Sequence, residues 1–110
     1  MVKVSVFYPN RPGARFDEQY YLTKHMALVG KLLGPVLKAA GVDKGVATPD
    51  GPAPFLFVAY LSFESMEAMQ AAMDAHGATL RADIPNYTDI QPVVQVSSVL
   101  IAQQAAQAAG

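Results

Sequence analysis

No cysteine occurs anywhere in this 110-residue chain, which removes disulfides, thiolate nucleophiles and cysteine-based metal sites together. An excess of charge is missing as well. The formal net charge is −1 and lysine and arginine form no cluster, so the electrostatic footprint of a nucleic-acid binder is absent. No apolar run approaches the ~20 residues that a membrane span requires, and Met1 to Val6 is too short and too alternating for a signal peptide. A cytoplasmic protein with no membrane partner is expected. The chain also lacks a Gly-rich phosphate loop, a dinucleotide fingerprint and a serine elbow. Its two histidines have no paired carboxylates at ligand spacing, so no metal is expected, and nothing in the sequence calls for an organic cofactor.

What is present is apolar material, 52% of the residues, which is ample for one core and more than a small monomer easily hides. Its densest organisation lies between Phe16 and Leu33. Asp17 is a good helix N-cap, Phe16 and Tyr21 have the spacing of a hydrophobic staple, and Gly34-Pro35 predicts a clean stop. Two apolar stripes run along the helix, Leu22–Met26–Val29–Leu33 and Tyr21–His25–Leu28–Leu32. A titratable imidazole therefore falls where this helix should meet the core.

Around that helix the chain alternates at period two from Val2 to Tyr8, a strand, and breaks at Pro9–Gly13. A bent strand is expected over Val36 to Val46, interrupted by Gly41 and Gly45, and a proline-rich loop over Thr48 to Pro54. Phe55 to Phe63 reads as a strand with two apolar faces: Phe55, Phe57, Ala59, Leu61 and Phe63 on one, Leu56, Val58 and Tyr60 on the other. Ser65 caps a second helix with a stripe of Met66, Met69, Met73, His76 and Leu80, Pro85-Asn86 signals a turn, and Ile90 to Val99 alternates again. Residues 1–101 thus form one domain, followed by an Ala/Gln-rich tail over 102–110 whose removal should leave the fold nearly intact. The order strand–helix–strand, strand–helix–strand predicts an α+β, ferredoxin-like βαββαβ sandwich with an antiparallel sheet and both helices on one face. Helices on one side cannot cover both faces of Phe55–Phe63, so a homodimer packed through the helix-free face, a dimeric α+β barrel, is expected.

Among residues that can carry chemistry, His25 has two readings: a core histidine bonded to a backbone carbonyl, or a general acid/base facing a pocket between helix and sheet. Tyr21, one turn earlier, and Tyr20, turned by roughly 100°, are candidates to hold a substrate oxygen there. Tyr60, Leu28, Met69 and His76 are candidates for the pocket walls; each also has a plain reading, as packing for Leu28 and Met69, helix-dipole complementarity for His76 and a subunit contact for Tyr60. Asp83 and Asp89 flank a turn and read as solvated.

Phe16, Tyr20-Tyr21 and His25 on the first helix, a Lys44-Gly45 strand, and Asp83-Ile84-Pro85-Asn86-Tyr87-Thr88 ahead of the last strand together resemble the EthD family, named for ethyl tert-butyl ether degradation, over roughly Val2 to Val99. One departure is Ala27, where similar sequences tend to carry proline. The resemblance implies the dimeric α+β barrel, in a superfamily of cofactor-independent monooxygenases, isomerases, cyclases, dehydratases and haem-degrading enzymes. EthD-like proteins are often labelled oxidoreductases, while others are treated as accessory proteins of catabolic pathways. Two functions follow as expectations. One is a small enzyme, an oxidoreductase or a cofactor-independent lyase or isomerase, acting on an apolar carbonyl- or phenol-bearing compound through His25. The other is a non-catalytic protein that holds a hydrophobic intermediate. Haem binding through either histidine is a third reading, which the absence of a Soret band would exclude.

Overall fold

Period-two alternation turns Val2, Val4, Val6 and Tyr8 to one face of β1 (Val2–Pro9), and this face carries the core. The computed structural model describes residues 1–102, and within them β1 is the inner strand on which the sheet is assembled. β3 (Phe55–Phe63) pairs with it on one side and β4 (Val93–Ser98) on the other, while β2 (Ala39–Lys44) joins at the far edge of β3. All three pairings are antiparallel, giving the order β2-β3-β1-β4. The register sets Val2 opposite Phe63, Val4 opposite Leu61 and Val6 opposite Ala59, so a single apolar face spans the two central strands. Both helices pack on it. Val29 and Leu33 from the first and Met69, Ala72 and Leu80 from the second meet Val2, Val4, Leu61 and Phe63 in one buried cluster. This is the α+β, ferredoxin-like arrangement that the sequence pattern predicts.

The first helix occupies residues 18–33. Asp17 caps it as expected, its side chain accepting from the Tyr20 amide at 3.0 Å, and the Phe16 and Tyr21 rings meet edge-on at 5.1 Å to close the staple. Its interior differs from a plain α-helix. Tyr21–His25 is a π turn, with the Met26 amide donating to the Tyr21 carbonyl. In an α-helix each step of four overshoots one turn by about 40°, so Tyr21, His25, Val29 and Leu33 would fan out around the rod. One wider turn takes up part of that drift, and these four become the buried line. Leu22, expected on a buried stripe, is displaced outward and is 46% exposed.

Beyond Leu33 the chain makes a 3-10 turn, Gly34–Val36, before extending. The second strand consequently starts at Ala39 and spans six residues, shorter than the predicted Val36–Val46. The second helix runs Met66–Asp83 with Ser65 Oγ accepting from the Ala68 amide. Its buried line is Met69, Ala72, Gly77 and Leu80, and Met66 points outward. The last strand begins at Val93, after Pro92, rather than at Ile90. No helix among the described residues is long and apolar enough to cross a membrane. The Ala/Gln tail lies, from residue 103 on, outside the described residues.

Among the described residues, no helix covers the sheet's other face. By register it presents Ser5 and Phe7 from β1, Val58, Tyr60 and Ser62 from β3, Gly41 from β2 and Val93 and Gln95 from β4. Tyr60 lies flat here: a Cβ at Gly41 would collide with its ring, and Lys3 Nζ sits 5.5 Å above that ring.

Candidate functional site

Chemistry gathers where the C-terminal end of the second helix meets the first. His25 is 7% exposed, held by the π turn against Tyr21, whose ring lies 5.8 Å away at 20°, and Tyr87, at 4.7 Å and 53°. Its Nδ1 sits 2.9 Å from Asp83 Oδ2, across 58 residues of sequence. The other carboxylate oxygen accepts from Tyr20 Oη at 2.8 Å and from Asn86 Nδ2 at 2.9 Å. Burial alone would raise the Asp83 carboxyl, but hydrogen bonds from Asn86, His25 and Tyr20 outweigh it and hold the group below its ordinary value. Asp83 is therefore an anion at neutral pH. It accepts from Nδ1–H, which fixes the imidazole tautomer and ring plane and leaves the lone pair of a neutral ring on Nε2.

Nε2 has no hydrogen bond among the described residues, and it is not a sealed, unpartnered atom either. His25 lines a cavity of about 640 Å³ bounded by the sheet face at Val4, Val6 and Val94, by the second helix at Met73, Gly77 and Leu80, and by the segment after that helix. The segment is tied down. Its 3-10 turn Ile84–Asn86 leads into Thr88, whose Oγ1 donates to the Arg15 carbonyl at 2.7 Å, while the Asp17 amide donates to the Tyr87 carbonyl, also at 2.7 Å. The start of the first helix and the end of the second are thus clamped together, which sets His25 against Asp83.

Of the other residues expected at the site, none lines this cavity. Tyr20 turns its hydroxyl to Asp83 and acts on the carboxylate instead, a bond that keeps its own proton above the ordinary range. Tyr21 is sealed at 1% exposure, its hydroxyl without a hydrogen-bond partner among the described residues, and burial pushes its pKa up. Met69 lies in the core cluster and Leu28 packs against it. Tyr60 is on the helix-free face. His76 is half-buried on the second helix and points elsewhere. The structure adds residues that sequence reasoning passed over. Tyr8, read only as a strand residue, presents its ring to the cavity and shares a 2.6 Å hydrogen bond with Tyr87. Asp83, read as solvated, is the orienting anion, with a side chain only 13% exposed. Asp89 is a surface residue that Arg11 pairs at 2.9 Å and the Arg15 amide also reaches at 2.9 Å. The signal available for Asp83 was the Asp-Ile-Pro-Asn-Tyr-Thr motif; that its carboxylate reaches His25 is a property of the fold alone. Among the described residues no three His, Cys, Asp or Glu side chains come together as a metal set.

Comparison with known proteins agrees with this architecture. The EthD domain family matches residues 14–91. The crystal structure of an EthD-like protein from Ralstonia eutropha is 41% identical, with a TM-score of 0.85 over 93% of this chain and 94% of that one. An ethyl tert-butyl ether degradation family protein from Bacillus halodurans shares the fold at 22% identity, TM-score 0.74, over 91% of this chain and 99% of that one. HapK from Hahella chejuensis shares it more distantly, at 18% identity and TM-score 0.58, over 94% and 98% of the two chains. A search among curated proteins finds no match.

Proposed function

The chain belongs to the EthD domain family, and from that premise we propose that it is a small acid–base enzyme acting on an apolar compound that carries a carbonyl or phenol group. The observation behind this reading is the Asp83–His25 pair with Nε2 left to the cavity. A ring nitrogen with one side held by a carboxylate and the other facing an apolar space is poised to take a proton. From a carbon next to a carbonyl, Nε2 accepts the proton while the C–H electron pair moves into the enolate, whose charge rests on oxygen. The imidazolium, stabilised by Asp83, then returns the proton to the same carbon or to a conjugated one, which is exchange or isomerisation with no atom left over. In this reading Tyr8, a cavity residue whose hydroxyl is shared with Tyr87, is the nearest phenol for a substrate oxygen, and Tyr20 serves as a positioning residue through Asp83. The apolar lining favours the neutral, flat part of such a molecule.

The protein is further proposed to act as a homodimer through the helix-free sheet face, where half-buried Phe7, Val58 and Tyr60 and exposed Val93 have no helix over them among the described residues. The competing role, an accessory protein that holds a hydrophobic intermediate, uses the same cavity without turnover.

Untargeted mass spectrometry of natively purified protein identifies the bound compound. That compound, incubated with the protein in deuterated water, should gain deuterium at its acidic carbon or be converted. His25→Ala and Asp83→Asn should each slow this by roughly 10²–10⁴-fold. A ligand that is returned unchanged, with exchange at the uncatalysed rate in wild type, assigns the accessory role instead.

A further inference from the structure

Two arginines, Arg15 and Arg81, line the cavity, and neither is paired with a carboxylate among the described residues. The nearest acidic side chains are committed elsewhere, Asp89 to Arg11 and Asp83 to His25. Arg15 spends one guanidinium nitrogen on the Pro85 carbonyl at 2.8 Å, which positions it. Arg81 makes no side-chain hydrogen bond among the described residues and is exposed at the cavity rim. Its guanidinium lies over Gly77, one turn earlier on the same helix. Gly77 is buried, also lines the cavity, and a Cβ there would stand only 3.0 Å from Arg81 Nη1. A glycine in a helix interior is less favourable than alanine. What it provides here is a bare patch on which a planar guanidinium lies beside an apolar space.

We infer that Arg81, seated on Gly77, is the anion-recognising residue of this cavity, and that the ligand is an apolar acid whose carboxylate meets Arg81 while its body lies toward His25. This rests on the reading of the cavity as the substrate site and narrows the substrate to a monocarboxylate. An arginine with free donors on a rigid helix suits a carboxylate through two parallel hydrogen bonds, which a neutral carbonyl cannot match. Because Arg81 is exposed, the contact stays open to solvent and to screening by salt, while the apolar walls take the body of the ligand.

The test uses 2-naphthoate and its neutral counterpart 2-naphthamide as probes, titrated by fluorescence and by calorimetry. Wild type should bind the carboxylate at least tenfold tighter than the amide, with the preference shrinking as salt is raised. Arg81→Gln should abolish the preference while leaving amide affinity and melting temperature nearly unchanged. Gly77→Ala, whose Cβ pushes the guanidinium by a few tenths of an ångström and adds helix propensity, should weaken the carboxylate alone in a protein at least as stable. Equal affinity for the two probes in wild type overturns the inference and leaves the cavity as a site for neutral ligands; a preference that survives Arg81→Gln overturns it by moving the anion contact to another group, Arg15 being the other arginine of the lining. Binding of neither probe overturns the ligand-site reading and this inference with it.

Discussion

A carboxylate that accepts from three donors is stabilised as the anion, and its protonation then works against the fold. Asp83 receives Asn86, His25 and Tyr20, and its folded pKa lies below the ordinary 3.8. The sign follows from linkage: the unfolded chain binds the proton more tightly, so the stabilisation is fully present above the ordinary value and is lost as pH falls through the folded one. Urea unfolding followed from pH 7 to pH 2.5 should show stability dropping below about pH 4. Asp83→Asn should cost about 1–3 kcal/mol at pH 7, where the charged acceptor is lost, and should flatten part of that acid limb. Equal acid limbs in the two proteins would mean that Asp83 is not the anion holding the helix ends together. The same hydrogen bonds explain why Tyr20, although next to Tyr21 in sequence, has a different role: one hydroxyl has a carboxylate to bond and the other has no partner among the described residues.

At the level of the elements, the π turn in the first helix is decisive. The sequence signals for the helix were sufficient for its cap, its staple and its stop at Leu33. They were insufficient for its phase, because a period of 3.6 assigns Leu22 and Tyr21 equally good places and only packing against Tyr8, Phe57 and Tyr87 selects between them. Leu33, with no exposed surface, should lose about 2–5 kcal/mol on change to alanine. Leu22→Ala, at 46% exposure, should stay within about 1 kcal/mol. Chemical denaturation of both variants checks the pair, and comparable losses would show that the helix is phased as a plain α-helix. The second helix was legible at its Ser65 cap and at Met69 and Leu80, but its buried line runs through Ala72 and Gly77 where the pattern put Met73 and His76, and Met66 is 50% exposed. Gly77 falls in that buried line, with the guanidinium of Arg81 over it, and helix periodicity of apolar residues does not mark a glycine.

For the whole molecule, the open question is the helix-free face. Phe7 and Phe55 meet there at 5.1 Å and Val93 is 55% exposed, so water contacts apolar side chains over several strands. Covering these by a second copy, at ~1.5–3 kcal/mol for each large side chain fully buried, would make a dimer that resists dilution. Sedimentation at micromolar concentration should report twice the mass of one chain, and Val58→Lys, placing a charge at the centre of that face, should return it to one. A wild-type monomer under these conditions would refute the pairing.

Sequence by itself determined the α+β class, the number and order of the strands and helices, the cap residues Asp17 and Ser65, and His25 as the group to watch. These follow from local rules, since periodicity, capping and turn chemistry act within a few residues. Only the tertiary structure decided which side chains share a space with that histidine. Asp83 lies 58 positions from His25 and Tyr8 lies 79 from the Tyr87 it bonds, separations that no periodicity can bridge. It also withdrew Tyr60, which strand alternation had left between pocket and interface, to the helix-free face, because the pleat gives each strand residue one side and the helices cover only one of the two.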